Sequence, residues 1–471
     1  MAASGSVGPP LPQAVSAVVS LQPLRATVSG GHSRPLAWRQ QQLQQLLQMV
    51  CSQQPSLEQA LAADLGKPTV EARMEIVLVQ QELRHTLRHL RRWLRPRPLP
   101  VPLWALPARA AVQCDPLGCV LILGAWNYPL QLCLQPLVSA LAAGNTAVLK
   151  PSEQAPHTAA LLAQLLGSTF TADTVQVVTG DGQVAADLLQ ERFDHIFFTG
   201  GGRVARLVMA AAARHLTPVT LELGGRSPAI VLADADPQVT ARRLIWGKGL
   251  NAGQTCIAPD HVLVVPSIRP ALLSAMAQEL ARAYGPVPLQ SPDLAQIVND
   301  RQFQRLEGLL QGARARGQVL LGGGSDAAVR RMEPTVIAVT DSDDPLLQEE
   351  LFGPLLPLLE IRDLDQALVA LQAQPKPLAL YLFGGTTQQQ QQLLAGSSSG
   401  AVVFNDVILQ GSMATLPFGG VGESGMGRYH GESGFLTFSH QRTVLRRSFA
   451  LDFPLRYPPY RGKEGLVRLL G

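Results

Sequence analysis

Across 471 residues, 46% hydrophobic and 16% charged, the chain is too apolar for a disordered tail and too long for one core, so two or more lobes are expected. Its net charge of +4 comes from 39 basic and 35 acidic side chains scattered among one another, which argues against a nucleic-acid-binding surface. Cys51, Cys114, Cys119, Cys133 and Cys256 have no paired spacing, so neither a disulfide framework nor a zinc or other metal site is suggested, in keeping with a reducing, cytoplasmic setting.

The N-terminus is rich in Ala, Ser, Gly and Pro and has no positive region ahead of the apolar Val15–Leu21, so a signal peptide is not expected. No apolar run reaches the roughly 18 residues that a membrane span requires. Ser33 and Pro35 open a Gln/Leu-rich helix that Pro55 interrupts. Ser56 restarts it with Gln59 at capping-box spacing, and Gly66 closes it. A long amphipathic helix follows from Val70 to Leu94. The basic run from Arg84 to Arg97 overlaps its end and reads as a solvated face. Pro96, Pro98, Pro100, Pro102 and Pro107 then impose an extended crossing between lobes. The Gln runs Gln40–Gln45 and Gln388–Gln392 read as exposed helix faces.

From Cys119 the pattern alternates. Apolar runs at Val120–Leu123, Ala147–Leu149, Val175–Val178, Ile196–Phe198, Val219–Leu221 and Ile230–Leu232 are separated by helical stretches such as Ala205–His215. Continuous apolar strands between helices predict a parallel sheet covered on both faces. After Val239 the alternation begins again, with strands at Val262–Val265 and Ala401–Phe404, which predicts a second α/β lobe. A glycine-rich, loop-dominated stretch from Gly411 to Gly434 follows.

Ligands of such sheets bind at the carboxyl ends of strands, and three of those ends carry chemistry. After Leu123, Trp126-Asn127-Tyr128-Pro129 leads into a helix; Asn127 there is either a helix cap or an amide donor to an oxyanion. After Phe198, Thr199-Gly200-Gly201-Gly202 turns into a helix whose N-terminus suits a pyrophosphate. Glu222 lies near the spacing, roughly 20 residues on, of a ribose-binding acid. A glycine turn without a ligand fits these residues equally well. Third, Gly253-Gln254-Thr255-Cys256 places a cysteine in a polar loop, where a nucleophile competes with the commoner small buried thiol.

In this order, Trp126-Asn127-Tyr128-Pro129, Lys150-Pro151-Ser152-Glu153, Leu221-Glu222-Leu223-Gly224-Gly225, Gly253-Gln254-Thr255-Cys256 and Glu349-Glu350-Leu351-Phe352-Gly353-Pro354 resemble the motif set of the aldehyde dehydrogenase superfamily. Leu216-Thr217-Pro218-Val219-Thr220, Leu416-Pro417-Phe418-Gly419-Gly420, Tyr429-His430-Gly431 and Phe438-Ser439-His440 are similar to its class 3 branch, which includes fatty aldehyde dehydrogenases. The resemblance implies two doubly wound α/β lobes plus a small β bridging element. Residues 1–96 with 118–221 would bind the dinucleotide, 222–433 would be catalytic, and 97–117 with 434–471 would bridge two copies. The activity implied is oxidation of an aldehyde to a carboxylic acid, with NAD, and NADP as a second cofactor.

The same resemblance implies roles. Cys256 would attack the aldehyde carbon as a thiolate, against an ordinary thiol pKa of roughly 8.5. The Asn127 amide and the Cys256 backbone N–H would hold the oxyanion, and Glu222 would activate water to hydrolyse the thioester. This sets the general-base reading of Glu222 above the ribose reading. Lys150 and Glu153 would grip the adenosine ribose, Gly200, Gly201 and Gly224 would line the cofactor crevice, and Glu350 and Phe352 would flank the nicotinamide end. Trp126 and Trp246 match aromatic positions near the cofactor or substrate, with core packing the plainer reading for Trp246. One turn departs from the family, whose pattern has Ser after the first Gly and a further Gly four residues on; here Gly201 and Ala205 stand there. Other readings are a CoA-acylating enzyme and a catalytically silent member, against which the retained Glu222, and the set Cys256, Asn127 and Glu222, argue. Fatty, aromatic or apo-carotenoid aldehydes and a homodimer without a membrane span complete the expectations.

Overall fold

The computed structural model describes residues 20–452, 454–463 and 465. Most of Val15–Leu21 and of the closing Arg461–Leu470 falls outside them, as do the expectations attached to those stretches. Two mainly parallel sheets, each with one antiparallel edge strand and clothed by helices, form two α/β lobes. The first has the strand order Gly425–Met426, Val219–Glu222, His195–Thr199, Cys119–Leu123, Thr146–Lys150, Val175–Val177. Five of these strands run parallel, and Gly425–Met426 pairs antiparallel on the edge, opposite Glu222. Every residue of Cys119–Leu123 and Thr146–Lys150 is buried, which is why they are continuous apolar runs rather than alternating ones. The chain winds outward from Cys119–Leu123 and then returns to its other side as His195–Thr199. That reversal opens a crevice between the ends of these two strands.

The second sheet has seven strands, in the order Val319–Leu321, Thr335–Val339, Leu355–Glu360, His261–Val264, Pro228–Val231, Ala379–Phe383, Ala401–Phe404. The run predicted at Ile230–Leu232 belongs here, at the centre, and does not extend the first sheet. A third, antiparallel sheet joins Arg97–Leu99, Ala108–Pro116 and Ser439–Arg447. The proline-rich segment is therefore not a bare crossing, because its extended backbone is used in a ladder.

Several local expectations are corrected. Ser33 caps nothing: its hydroxyl is buried without a described partner, and Pro35 directly precedes the helix Leu36–Ser52. The helix Leu36–Ser52 does end just ahead of Pro55, which sits in the first turn of the next helix, Gln54–Leu65, where its missing N–H leaves no bond unmade; Gln53 holds the cap position, so Ser56 is no cap. Gln42, in the run read as exposed, is buried. Gly66 does end its helix in the left-handed region, at φ 58°. Between Gly411 and Gly434 lie the edge strand Gly425–Met426 and the start of the helix Gly431–Thr437. Among the described residues no helix is long and apolar enough to cross a membrane.

Candidate active site

Both sheets direct strand ends and loops at one cavity of about 680 Å³, and Cys256, Asn127 and Glu222 all line it. Cys256 follows the helix Pro237–Gly249 through a tight turn in which Asn251, Ala252 and Gly253 have φ of 51°, 52° and 73°. Such left-handed geometry suits Gly and Asn but strains Ala. Glycine is required at 253, where a Cβ would overlap the Gly353 carbonyl oxygen. The loop is locked from within by Gln254, whose Nε2 donates to the carbonyls of Asn251 (3.0 Å) and Gln296 (2.9 Å) and whose Oε1 accepts the Val298 N–H at 2.9 Å.

Asn127 is not a helix cap. Its Nδ2 donates to the Gln254 carbonyl at 3.1 Å. An amide nitrogen carries two protons, so one N–H remains for a ligand. The helix that follows, Gln131–Ala143, is capped from elsewhere: Glu75 Oε1 accepts the N–H groups of Leu130 and Gln131. Glu222 ends the strand Val219–Glu222, is 2% exposed, and has no described hydrogen-bond partner at either carboxylate oxygen. Burial alone holds its pKa well above the ordinary carboxylate range. Cys256 is pushed up to about 12, first by burial and then by the charges of Glu350 and Glu222, against the pull of the backbone N–H groups of Cys256 and Ile257.

The other predicted cofactor residues follow strand ends of the first sheet or lie on the Glu350–Phe352 loop. Gly201 precedes the helix Gly202–Ala213 and offers no side-chain cap, leaving the first backbone N–H groups open to an anion. A Cβ at Gly201 would meet nothing within 4 Å among the described residues, whereas one at Gly200 would sit 2.6 Å from the Phe198 ring. Lys150 is buried at the end of its strand with Nζ 3.1 Å from Glu153 Oε2, and Glu153 reaches solvent. Glu350 accepts the Gly225 N–H and packs so close that a Cβ at Gly224 would overlap its carboxylate. Burial drives Glu350 up to about 8. Trp126 and Phe352 meet edge to face with centroids 5.3 Å apart. An anion-ready helix end, a Lys–Glu pair and a glycine-cleared carboxylate are groups whose chemistry fits a dinucleotide. Trp246, 36% exposed, lines the cavity and is no core residue.

Sequence reasoning missed the helix Thr69–Trp93 as part of the site. Glu75 is fully buried against Lys67, with Nζ 2.5 Å from Oε2, and the Lys67 ammonium also lies 4.0 Å from the centre of the Tyr128 ring. Tyr128 hydrogen-bonds to Thr255, next to Cys256, at 2.7 Å. Glu82, pushed up to about 7 by burial, accepts the Gly431 N–H at 2.7 Å and so secures the loop that presents His430 to the cavity. A signal was present. Glu75 and Glu82 fall on the apolar stripe of Ala72, Ile76, Val79 and Leu83, where a solvated acid has no place.

Known proteins agree with this geometry. The family model described as "Aldehyde dehydrogenase family" matches residues 25–444. Aldehyde dehydrogenase family 3 member H1 of Arabidopsis thaliana is 42% identical, over 95% of this chain and 93% of its own length. Aldehyde dehydrogenase family 3 member B1 of Homo sapiens is 44% identical, over 93% and 94%. Among solved structures, the substrate-bound AldH of Staphylococcus aureus superposes with a TM-score of 0.93 at 38% identity, covering 95% of this chain and 98% of that one. The chain belongs to the aldehyde dehydrogenase family, and its reaction is the NAD(P)-dependent oxidation of an aldehyde.

Proposed function

We propose that the substrates are hydrophobic aldehydes, medium- or long-chain aliphatic, aromatic or apo-carotenoid, oxidised through a thioester on Cys256 by a cytoplasmic homodimer. The observation that carries this reading is a cavity walled by Val70, Met74, Leu78, Leu132, Trp246, Leu250, Ile257, Leu409 and Phe418 whose lining also includes Cys256, Asn127 and Glu222. Apolar walls favour an apolar tail, since each buried methylene contributes about 0.8 kcal/mol. The domain reading follows: residues 1–96 with 118–221 hold the dinucleotide, 222–433 hold the nucleophile, and 97–117 with 434–471 join two copies.

In this mechanism Cys256 gives up its proton to solvent, the thiolate sulfur bonds to the aldehyde carbon, and the carbonyl pair moves onto oxygen. The free Asn127 N–H and the Cys256 backbone N–H receive that charge, one such donor being worth about 3 kcal/mol of barrier. Lys150, Glu153, Gly200, Gly201, Gly224, Glu350, Phe352 and Trp126 would hold the dinucleotide, which when bound would supply the acceptor for the hydride. Water then adds to the thioester as Glu222 takes its proton, and the carbon–sulfur bond breaks to release the acid and the Cys256 thiolate. The unpartnered Glu222 carboxylate beside the thiol supports hydrolysis over transfer to CoA.

The test is an aldehyde panel followed by NADH absorbance, with and without CoA. A KM that falls with apolar chain length and a free-acid product are expected. Preference for short polar aldehydes would overturn the substrate class, and acyl-CoA as product would overturn the role of Glu222.

A further inference from the structure

The run of left-handed backbone at Asn251, Ala252 and Gly253 persists only if neighbours over-determine it. One of its holds comes from far along the chain. The Asn251 backbone N–H donates to Glu71 Oε2 at 2.8 Å. Glu71 sits in the first turn of the helix Thr69–Trp93 and lines the same cavity as Cys256. Asn251 in turn joins the two halves of the site. Its Nδ2 donates to the Asn127 backbone carbonyl at 2.9 Å and to the Gln254 carbonyl at 3.1 Å. That Gln254 carbonyl is the one that also accepts the Asn127 side-chain amide.

We propose that Glu71 is a positioning residue for the oxidation: by accepting the Asn251 N–H it fixes the turn that sets Cys256 and the Asn127 amide at one spacing. The inference rests on the reading of Cys256 as nucleophile. Glu71 acts on the thiol and the amide only through Asn251. Loss of its oxygen frees the residue that both of them lean on. The acceptor matters here rather than the charge. Burial drives Glu71 up to about 7, with the Asn251 N–H and Lys67 pulling down and Asp293 pushing up. The neutral acid keeps a carbonyl oxygen for the N–H, and so does a glutamine.

The experiment compares Glu71→Met, Glu71→Asp and Glu71→Gln in the full chain, with Cys256→Ala as control. Two readouts are taken: the rate of the NADH burst on mixing aldehyde with NAD, and amide hydrogen exchange in the peptide spanning residues 250–256. Removing or withdrawing the acceptor misplaces the thiol, so Met and Asp should slow the burst by about ten- to a hundredfold. They should also speed exchange in that peptide, while the KM for NAD is unchanged. Gln should match the parent chain in both. Should Met fail to fold, Asp, which keeps the charge but not the reach, carries the test. An unchanged burst and exchange in Met or Asp, or equal damage from Gln, would overturn the proposal. A burst retained by Cys256→Ala would instead remove the nucleophile reading, and the exchange data would still report on the hold at Asn251.

Discussion

Glu222 is a carboxyl whose environment acts on it in one direction, since burial raises its pKa with no described hydrogen bond to oppose it. As a base it must be ionised, so hydrolysis of the thioester should quicken as pH rises. Glu222→Gln should give a NADH burst near one per active site followed by a stall, with steady turnover down about a hundred- to ten-thousandfold. The rising pH limb of the burst, which belongs to the raised Cys256 thiol, should survive the substitution. The same burial predicts a stability effect. The folded chain holds this proton more tightly than the unfolded chain, so stability is lost as pH rises from the ordinary carboxylate range through the raised pKa. The Tm of the parent should therefore fall more steeply toward alkaline pH than that of Glu222→Gln, and parallel curves would contradict the assignment. At the other end of the crevice, Glu153 beside Lys150 should accept ribose hydroxyls and repel a 2′-phosphate. Glu153→Gln should raise the ratio of NADP to NAD activity, and an unchanged ratio would remove its role.

The helix Thr69–Trp93 holds three separate segments of the cavity wall by lending carboxylates to backbone N–H groups. Lys67 pairs with Glu75, and both side chains of that pair are fully buried. Lys67→Met would leave the buried Glu75 without its cation, held only by the Leu130 and Gln131 N–H groups, at a cost of about 3–5 kcal/mol. Chemical denaturation of the variant should register that loss, and a change below about 1 kcal/mol would mean the pair is not buried as described. The helix Gly202–Ala213 offers the opposite kind of test. A side chain at Gly201 has room, and a hydroxyl there would face the uncapped helix end. Gly201→Ser should stabilise the fold by a few tenths of a kcal/mol and lower the Kd for NAD measured by titration calorimetry. A weaker Kd would place the pyrophosphate elsewhere.

At the scale of the whole molecule, the small third sheet ends in the strand Ser439–Arg447, which among the described residues is paired on one side only. Around that sheet Leu103, Trp104 and Leu445 stand 86%, 56% and 62% exposed. A long unpaired edge with apolar neighbours invites a second chain, which supports the homodimer. Light scattering of the parent chain should give twice the mass of one chain. Trp104→Glu with Leu445→Glu should shift it toward the monomer with the aldehyde cavity intact. A parent that scatters as a monomer or tetramer would contradict the dimer.

The sequence by itself determined the five parallel strands of the first lobe and, in the second, the runs at Val262–Val265 and Ala401–Phe404, because doubly covered parallel strands are continuous apolar runs; Val319–Leu321, Thr335–Val339, Leu355–Glu360 and Ala379–Phe383 were not read from it. Val120–Leu123 and Ala147–Leu149 were legible for that reason, and the ordered motifs around Asn127, Lys150, Glu222, Cys256 and Glu350 were legible as short local strings. Tertiary structure decided which sheet receives Pro228–Val231, since an apolar run carries no label for its neighbours. It also removed the cap reading of Asn127, whose side-chain partner Gln254 is remote in sequence. Above all it decided Lys67, Glu71, Glu75 and Glu82. A carboxylate on the apolar stripe of a helix marks itself as buried, but only the fold shows which backbone N–H from another segment meets it.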